Sequence, residues 1–335
     1  MNNSLKNLQR HIRGFRHSEN ILQEYHLENQ FIKLTLTNAG AAIVKLEVAD
    51  RVGVWRDVVL GFDDLSRYTN NSVYFGAIVG RFAGEISPPS FQWNRQEIQL
   101  CTDDRQTHLH GGKDSIAFRI WSAEKTPQGC TFRIFSPAGE NGYPGNVQFY
   151  AKYILQGCAV HLEYGAVSDV RTPVNMLAHP YFNLNGHASG CVFEHELYLD
   201  ANEYSFTSGE GLKTGTRYSC QKNTRYDFRV RHRLFQEPYD CNYWLKKENA
   251  YDAELYAPQS GIFLRMHCTQ PCMQLYAACE MDEYGKDGAH YKPFDAICLE
   301  PQHQPNAMHI QDAAVPETDE YGSYRHTVIY EFGIR

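Results

Sequence analysis

The sequence predicts an all-β chain built as one large antiparallel β-sandwich. Three observations predict it. Short runs of strand character recur from one end to the other, and several alternate in polarity, as in Val160-His161-Leu162-Glu163-Tyr164, the pattern of a sheet with one solvated face. Aromatic residues make up 13% of the chain, mostly tyrosine and phenylalanine, which suit pleated surfaces better than helices. No long segment carries a 3.6-residue apolar stripe, and regular helices do not separate the strands as a parallel α/β sheet requires.

In chain order, strands are expected at Phe31 to Leu36, Ala42 to Val48, Thr131 to Phe135, Gln148 to Leu155, Val160 to Tyr164 and Val192 to Leu199. Ile262 to Cys268, Met273 to Ala277 and Thr327 to Phe332 complete the series. Turn signals lie between them: Asn38-Ala39-Gly40, Ser136-Pro137-Ala138-Gly139, Asn185-Gly186 and Gln259-Ser260-Gly261. With no low-complexity linker, no repeat of about 20 to 50 residues and no charge block, one domain over 1–335 is expected, with residues 1–20 a loose extension.

Composition excludes some partners. A net charge of -7, with scattered lysines and arginines, offers no basic field for phosphate backbones, so nucleic acid is not expected as a partner. Met1 to Phe15 lacks the apolar core of a secretion signal, and no stretch approaches the run of about 20 apolar residues that a spanning helix needs. A soluble cytoplasmic protein without membrane contact is the expectation. The ten cysteines are spread singly, which reads as reduced, mostly buried thiols.

Five segments place polar groups among apolar or turn residues, where an unpaired polar group is costly. In Asn175 to Leu184, His179 lies between Ala178 and Pro180, before an aromatic pair. It reads either as a general acid tuned near neutrality or as a satisfied core histidine. In Ile297 to Gln302, Glu300 follows an apolar strand and precedes Pro301, so it is a general base at a sheet rim or a solvated strand end. In His108-Leu109-His110-Gly111-Gly112, two histidines at i and i+2 could begin a metal site, but no third ligand has convincing spacing. The paired glycines suggest close backbone approach to a ligand. Asp240 stands among aromatics in Tyr239 to Trp244, a pattern that suits the apolar faces and hydroxyls of sugars. Tyr74 to Ile86 is glycine-punctuated yet has neither nucleotide-binding glycine pattern.

Taken in order, these segments resemble the aldose 1-epimerase (galactose mutarotase) family from about Phe31 to Gly333. Asp57-Val58-Val59-Leu60-Gly61-Phe62 is similar to the family's early strand, Leu109-His110-Gly111-Gly112 to its Leu-His-Gly-Gly loop, and Asn141-Gly142-Tyr143-Pro144-Gly145 to its Glu-Gly-Tyr-Pro-Gly turn. Thr172 to Asn175 running into His179 to Leu184 is the best match, with Thr269-Gln270-Pro271 through Gln274 and Leu299 to Gln302 completing the set. The resemblance implies a β-sandwich of the supersandwich type and an isomerase that interconverts the α and β anomers of a free aldose. It implies no metal and no cofactor, and a monosaccharide as partner. It assigns His179 as general acid and Glu300 as general base, with His110, Asp240 and Gln274 holding the sugar. Monomer and homodimer both remain open.

One segment departs from the family pattern. Where the family reads Ala-Asn-Arg-Ile, this chain reads Ala83-Gly84-Glu85-Ile86, so a guanidinium donor has become a carboxylate acceptor. The expectation is an aldose whose hydroxyl pattern or substituent differs from galactose, with anionic sugars disfavoured near Glu85. Arg81 is expected either to supply the missing donor or to act as a structural salt-bridge partner. Two alternatives stand beside the aldose 1-epimerase reading: a sugar-phosphate (hexose-6-phosphate) 1-epimerase, and a non-catalytic carbohydrate-binding protein on the same fold.

Overall fold

The computed structural model describes residues 21–102, 107–222, 224–319 and 321–335. The expected extension at 1–20 lies outside them. Two antiparallel sheets dominate. The larger has nine strands, ordered in space Ser122–Lys125, Gly129–Ser136, Val147–Gln156, Ala159–Ser168, Ser323–Ile334, Ile262–Cys268, Ala253–Tyr256, Glu196–Leu199 and His232–Arg233. The other has six: Tyr181–Phe182, Ile297–Gln302, Cys272–Tyr276, Asp240–Leu245, Ala201–Phe206 and Tyr218–Ser219. A four-stranded sheet, Glu24–Glu28 to Trp55–Asp57, precedes both in the chain. The single α-helix among the described residues is Gly209–Thr214, and no helix is long and apolar enough to cross a membrane.

Period-two patterning explains how the sheets pack. Val160, Leu162, Tyr164 and Ala166 point inward from one strand of the large sheet, while Met273, Leu275, Ile297 and Leu299 point inward from the six-stranded one. Both sets belong to one continuous apolar core. The Tyr164 hydroxyl crosses between the sheets to the Pro301 carbonyl.

Six of the nine expected strands occur with ends within about two residues, the usual scatter of strand boundaries, and two more, Val160 to Tyr164 and Thr327 to Phe332, lie inside longer strands, Ala159–Ser168 and Ser323–Ile334. The ninth is shorter than Val192 to Leu199. Val192 to His195 forms a turn closed by the His195 N–H on the Val192 carbonyl, and the strand begins at Glu196.

The strand Ile297–Gln302 is buried on both faces. Its odd-numbered residues Ile297 and Leu299 enter the core between the sheets, so the same pleat turns Cys298, Glu300 and Gln302 to the opposite face. Its neighbours repeat the division. Met273 and Leu275 face the core, as do Cys241 and Tyr243, leaving Gln274 and Tyr276, and Asp240 and Asn242, on the outer face. Antiparallel register sets Asn242 opposite Gln274 and Gln274 opposite Glu300. One row of polar side chains therefore crosses three strands.

Candidate active site

Gln274 and Glu300 of that row, with Gln302 and Asp240, form the floor of a cleft of about 320 Å³, at the small end of the roughly 300–1,000 Å³ range of small-molecule sites. Two loops complete its walls. His179 stands between the short strands Leu177–Ala178 and Tyr181–Phe182; its N–H binds the Ala77 carbonyl and its own carbonyl accepts from Gly76 N–H. Gly76 is required there, because a Cβ would lie 2.1 Å from the Ile43 carbonyl oxygen. The imidazole lies parallel to the Tyr181 ring at 4.9 Å and to the Tyr74 ring at 6.0 Å, and these faces fix its plane.

His110 occupies the left-handed region at φ 51° in the loop after His108–Leu109. Gly111, at φ 89°, permits the turn, since a Cβ would approach the Gly80 carbonyl oxygen to 2.0 Å. Close backbone approach is thus real at Gly111, although the approaching backbone is the protein's own, while Gly112 packs against the His108 ring. The Gly84 N–H donates to His110 Nδ1 at 3.2 Å. Burial lowers the His110 pKa well below its usual value, so the ring is neutral; with Nδ1 accepting, Nε2 carries the hydrogen and is a donor.

At the centre of the floor, His179 Nε2 and Glu300 Oε1 are 3.3 Å apart, and both side chains are buried. Burial acts on both in the direction of neutrality. It lowers His179 to about 4 and raises Glu300 well above the usual carboxylate range, with the negative charge of Asp240 adding to the second effect. The pair is then one carboxyl and one neutral imidazole, sharing a single proton. Beyond their mutual approach, His179 Nδ1 and Glu300 Oε1 have no hydrogen-bond partner among the described residues.

Asp240 lies at the cleft mouth, reached by solvent on one side and packed by protein on the other. Its Oδ1 accepts from Gln274 Nε2 at 2.5 Å and from Thr207 Oγ1 at 2.8 Å. Burial nonetheless raises its pKa. The network continues from Gln274 Oε1 to Gln302 Nε2 and from there to Asn242 Oδ1, both at 3.3 Å. Such a relay fixes which end of each amide faces the cleft.

The structure brings Glu300, His179, His110, Asp240, Gln274 and Glu85 together around this cleft. Glu85 enters from the wall, on a strand whose partner places it opposite Leu109. Arg81 does not reach the cleft, which corrects both roles expected for it. Its Nε donates to Ser136 Oγ, its Nη1 to the Pro144 and Gly145 carbonyls, and its Nη2 to the Ser136 and Pro137 carbonyls. All five guanidinium hydrogens are spent on that turn, so among the described residues Arg81 is neither a cleft donor nor half of a salt bridge. Sequence reasoning missed Gln302, Tyr74, Tyr181, Tyr276, Thr207 and Glu280, which also line the cleft. Gln302 was findable, being two residues from Glu300 on one strand face. The others depend on loops and register.

A buried acid and base on the floor of an antiparallel β-sandwich, ringed by hydroxyl, amide and aromatic groups, define a site for moving protons on a small polar molecule. The chain belongs to the aldose 1-epimerase family, whose model matches residues 23–331. It is 33% identical to galactose mutarotase from Bos taurus over 327 residues, covering 93% of this chain and 94% of that one. It is 29% identical to aldose 1-epimerase from Haemophilus influenzae over 282 residues, covering 80% and 81% respectively. Among solved structures, a GalM/aldose epimerase homologue from C. elegans superposes with a TM-score of 0.89 at 25% identity, covering 94% of this chain and 99% of the other.

Proposed function

We propose that this member of the aldose 1-epimerase family interconverts the anomers of a free, uncharged aldose, with Glu300 as base and His179 as acid. The observation that carries the reading is the buried pair, 3.3 Å apart and facing the same cleft. A pyranose opens when the O1 proton is removed as the ring oxygen O5 gains one, so two proton-transfer groups must stand at neighbouring edges of the sugar. A pair holding one proton meets that requirement. Hydroxyls of a bound sugar supply the hydrogen bonds that burial withholds, which favours the arrangement with carboxylate on Glu300 and the proton on His179.

Glu300 then takes the O1 proton as His179 gives one to O5, and the C1–O5 bond breaks. The freed aldehyde turns about C1–C2, and the reverse transfers close the ring on its other face. Atoms balance, and no electron acceptor or covalent intermediate is involved. His110, through Nε2–H, together with Asp240 and Gln274, would hold the hydroxyls, and Tyr74 and Tyr276 offer faces to the ring.

The carboxylates Glu85, Asp240, Glu280 and Glu300 line the cleft, with no lysine or arginine among the described lining residues. This favours an uncharged sugar over a phosphorylated one. A binding protein needs no buried acid and base, which sets that alternative aside. All ten cysteines are unpaired, in keeping with a reducing, cytoplasmic setting, and the proposed enzyme is a single mutarotase-like domain acting as monomer or homodimer.

Polarimetry of freshly dissolved α-D-glucose and α-D-galactose tests the proposal. Acceleration by the wild type that is lost in Glu300→Gln and in His179→Asn is expected. Acceleration that survives either change would remove that residue from its role.

A further inference from the structure

Below the proton-transfer pair lies a third chemically active group that the proposed mechanism leaves unused. Cys298 shares the cleft-side face of its strand with Glu300, two residues away, and its strand partner across the pair is Tyr181. Its thiol is fully buried. One ligating atom from each of His179, Cys298 and Glu300 lies within 4.8 Å of the others.

We propose that these three side chains form an inhibitory site for a soft divalent cation such as zinc, which competes with the sugar. Zinc holds nitrogen, oxygen and sulfur at roughly 2.0–2.3 Å, so ligand atoms at the corners of its tetrahedron stand roughly 3.3–3.8 Å apart. The His179 Nε2 to Glu300 Oε1 separation of 3.3 Å already matches one such edge. The remaining edges, all within 4.8 Å, close with shifts of at most about 1.5 Å.

A second observation points the same way. Apart from its approach to His179, Glu300 Oε1 is buried without a hydrogen-bond partner among the described residues, an acceptor atom with lone pairs available to a cation. His179 and Glu300 border the cleft, so the fourth corner opens toward water in the space the sugar would otherwise fill. Imidazole, carboxylate and thiolate together select zinc, cobalt or cadmium over magnesium and calcium. Binding releases the thiol proton of Cys298 and the carboxyl proton of Glu300 to solvent, with no change of oxidation state. The cation removes both proton-transfer groups from use, which makes the site inhibitory rather than catalytic.

A second candidate for a thiolate ligand is the half-buried Cys279, at the cleft mouth near Asp240 and Glu280. The experiment separates the two. Cobalt(II) is titrated into chelator-treated, sugar-free protein, and the thiolate-to-cobalt charge-transfer absorption is read for wild type, Cys298→Ala, Cys298→Ser and Cys279→Ala. Zinc and magnesium are then titrated into the polarimetric assay. The band is expected in wild type and Cys279→Ala and absent from both Cys298 variants. Zinc is expected to stop the reaction reversibly on adding EDTA, magnesium to have no effect, and Cys298→Ala to need at least about tenfold more zinc, since even outer partners of a metal site cost 10–100-fold.

A band lost in Cys279→Ala but kept in Cys298→Ala, no band in wild type, or equal zinc sensitivity of wild type and Cys298→Ala would overturn the proposal. The cobalt titration decides the matter independently of any activity, and Cys298→Ser preserves the shape of the side chain should alanine disturb folding.

Discussion

Single side chains in the cleft have separable jobs. Each positioned proton transfer contributes typically about 10²- to 10⁴-fold, so Glu300→Gln and His179→Asn should each lower kcat within that range, measured by polarimetric initial rates. Gln302 contributes differently, because its amide ties Gln274 to Asn242. Gln302→Leu removes that tie and frees Gln274 to rotate. KM should rise about tenfold, the weight of one hydrogen bond at about 1.4 kcal/mol, with a much smaller change in kcat. Arg81 is the contrast. Arg81→Lys leaves several buried carbonyls without donors, at about 1–3 kcal/mol for each group left unsatisfied. Its thermal midpoint should fall by several degrees while KM for the sugar stays put; a raised KM with an unchanged midpoint would return Arg81 to the cleft.

At the scale of elements, short loops aim what the strands cannot. The loop bearing His110 is held by the Ser115 hydroxyl on the His110 carbonyl at 2.7 Å and by the His110 N–H on the Gly84 carbonyl at 3.1 Å. Gly111→Ala would drive a methyl into the Gly80 carbonyl and impose a strained backbone costing about 1–3 kcal/mol. The loop must shift, so the variant should lose stability in urea titrations and show a raised KM together. Element boundaries were legible in Ile262–Cys268 and Val147–Gln156, whereas Ala159–Ser168 and Ser323–Ile334 each run four residues past one expected end. Asp240–Leu245 escaped notice as a strand, although Cys241 and Tyr243 alternate with Asp240 and Asn242, because aromatic residues on both faces blur the pattern. Val192 to His195 misled in the opposite sense: its apolar residues pack in a turn rather than a strand.

Over the whole molecule, burial of neutral histidines makes stability depend on pH. His195 is fully buried, and its Nε2 accepts from the Leu184 N–H at 3.0 Å. Burial holds its pKa at about 4. An unfolded histidine titrates near 6.5, so below that pH the unfolded chain takes up a proton that the folded one refuses. The stabilisation is present above pH ~6.5 and is lost as pH falls toward 4. At pH 5 the loss from this one group is about 2 kcal/mol, at about 1.4 kcal/mol per pH unit below the unfolded value. Urea midpoints measured from pH 7 to pH 5 should fall accordingly, and His195→Gln should flatten the fall. A slope unchanged by that substitution would assign the effect to other groups.

By itself the sequence determined the β class, most strands of the large sheet, and the candidacy of His179, Glu300, His110 and Asp240, because period-two patterning and polar residues in apolar settings are local signals, while Gln274 entered only through the resemblance to the aldose 1-epimerase family. Only the tertiary structure decided that Asn242, Gln274 and Glu300 face one another across three strands, since register joins segments far apart in the chain and is set by how their opposite faces pack. It likewise decided the fate of Arg81. A guanidinium beside a glycine can face a ligand or its own backbone, and what chose the backbone was the set of carbonyls that the 136–145 turn folds around it, a long-range arrangement with no local trace in the chain.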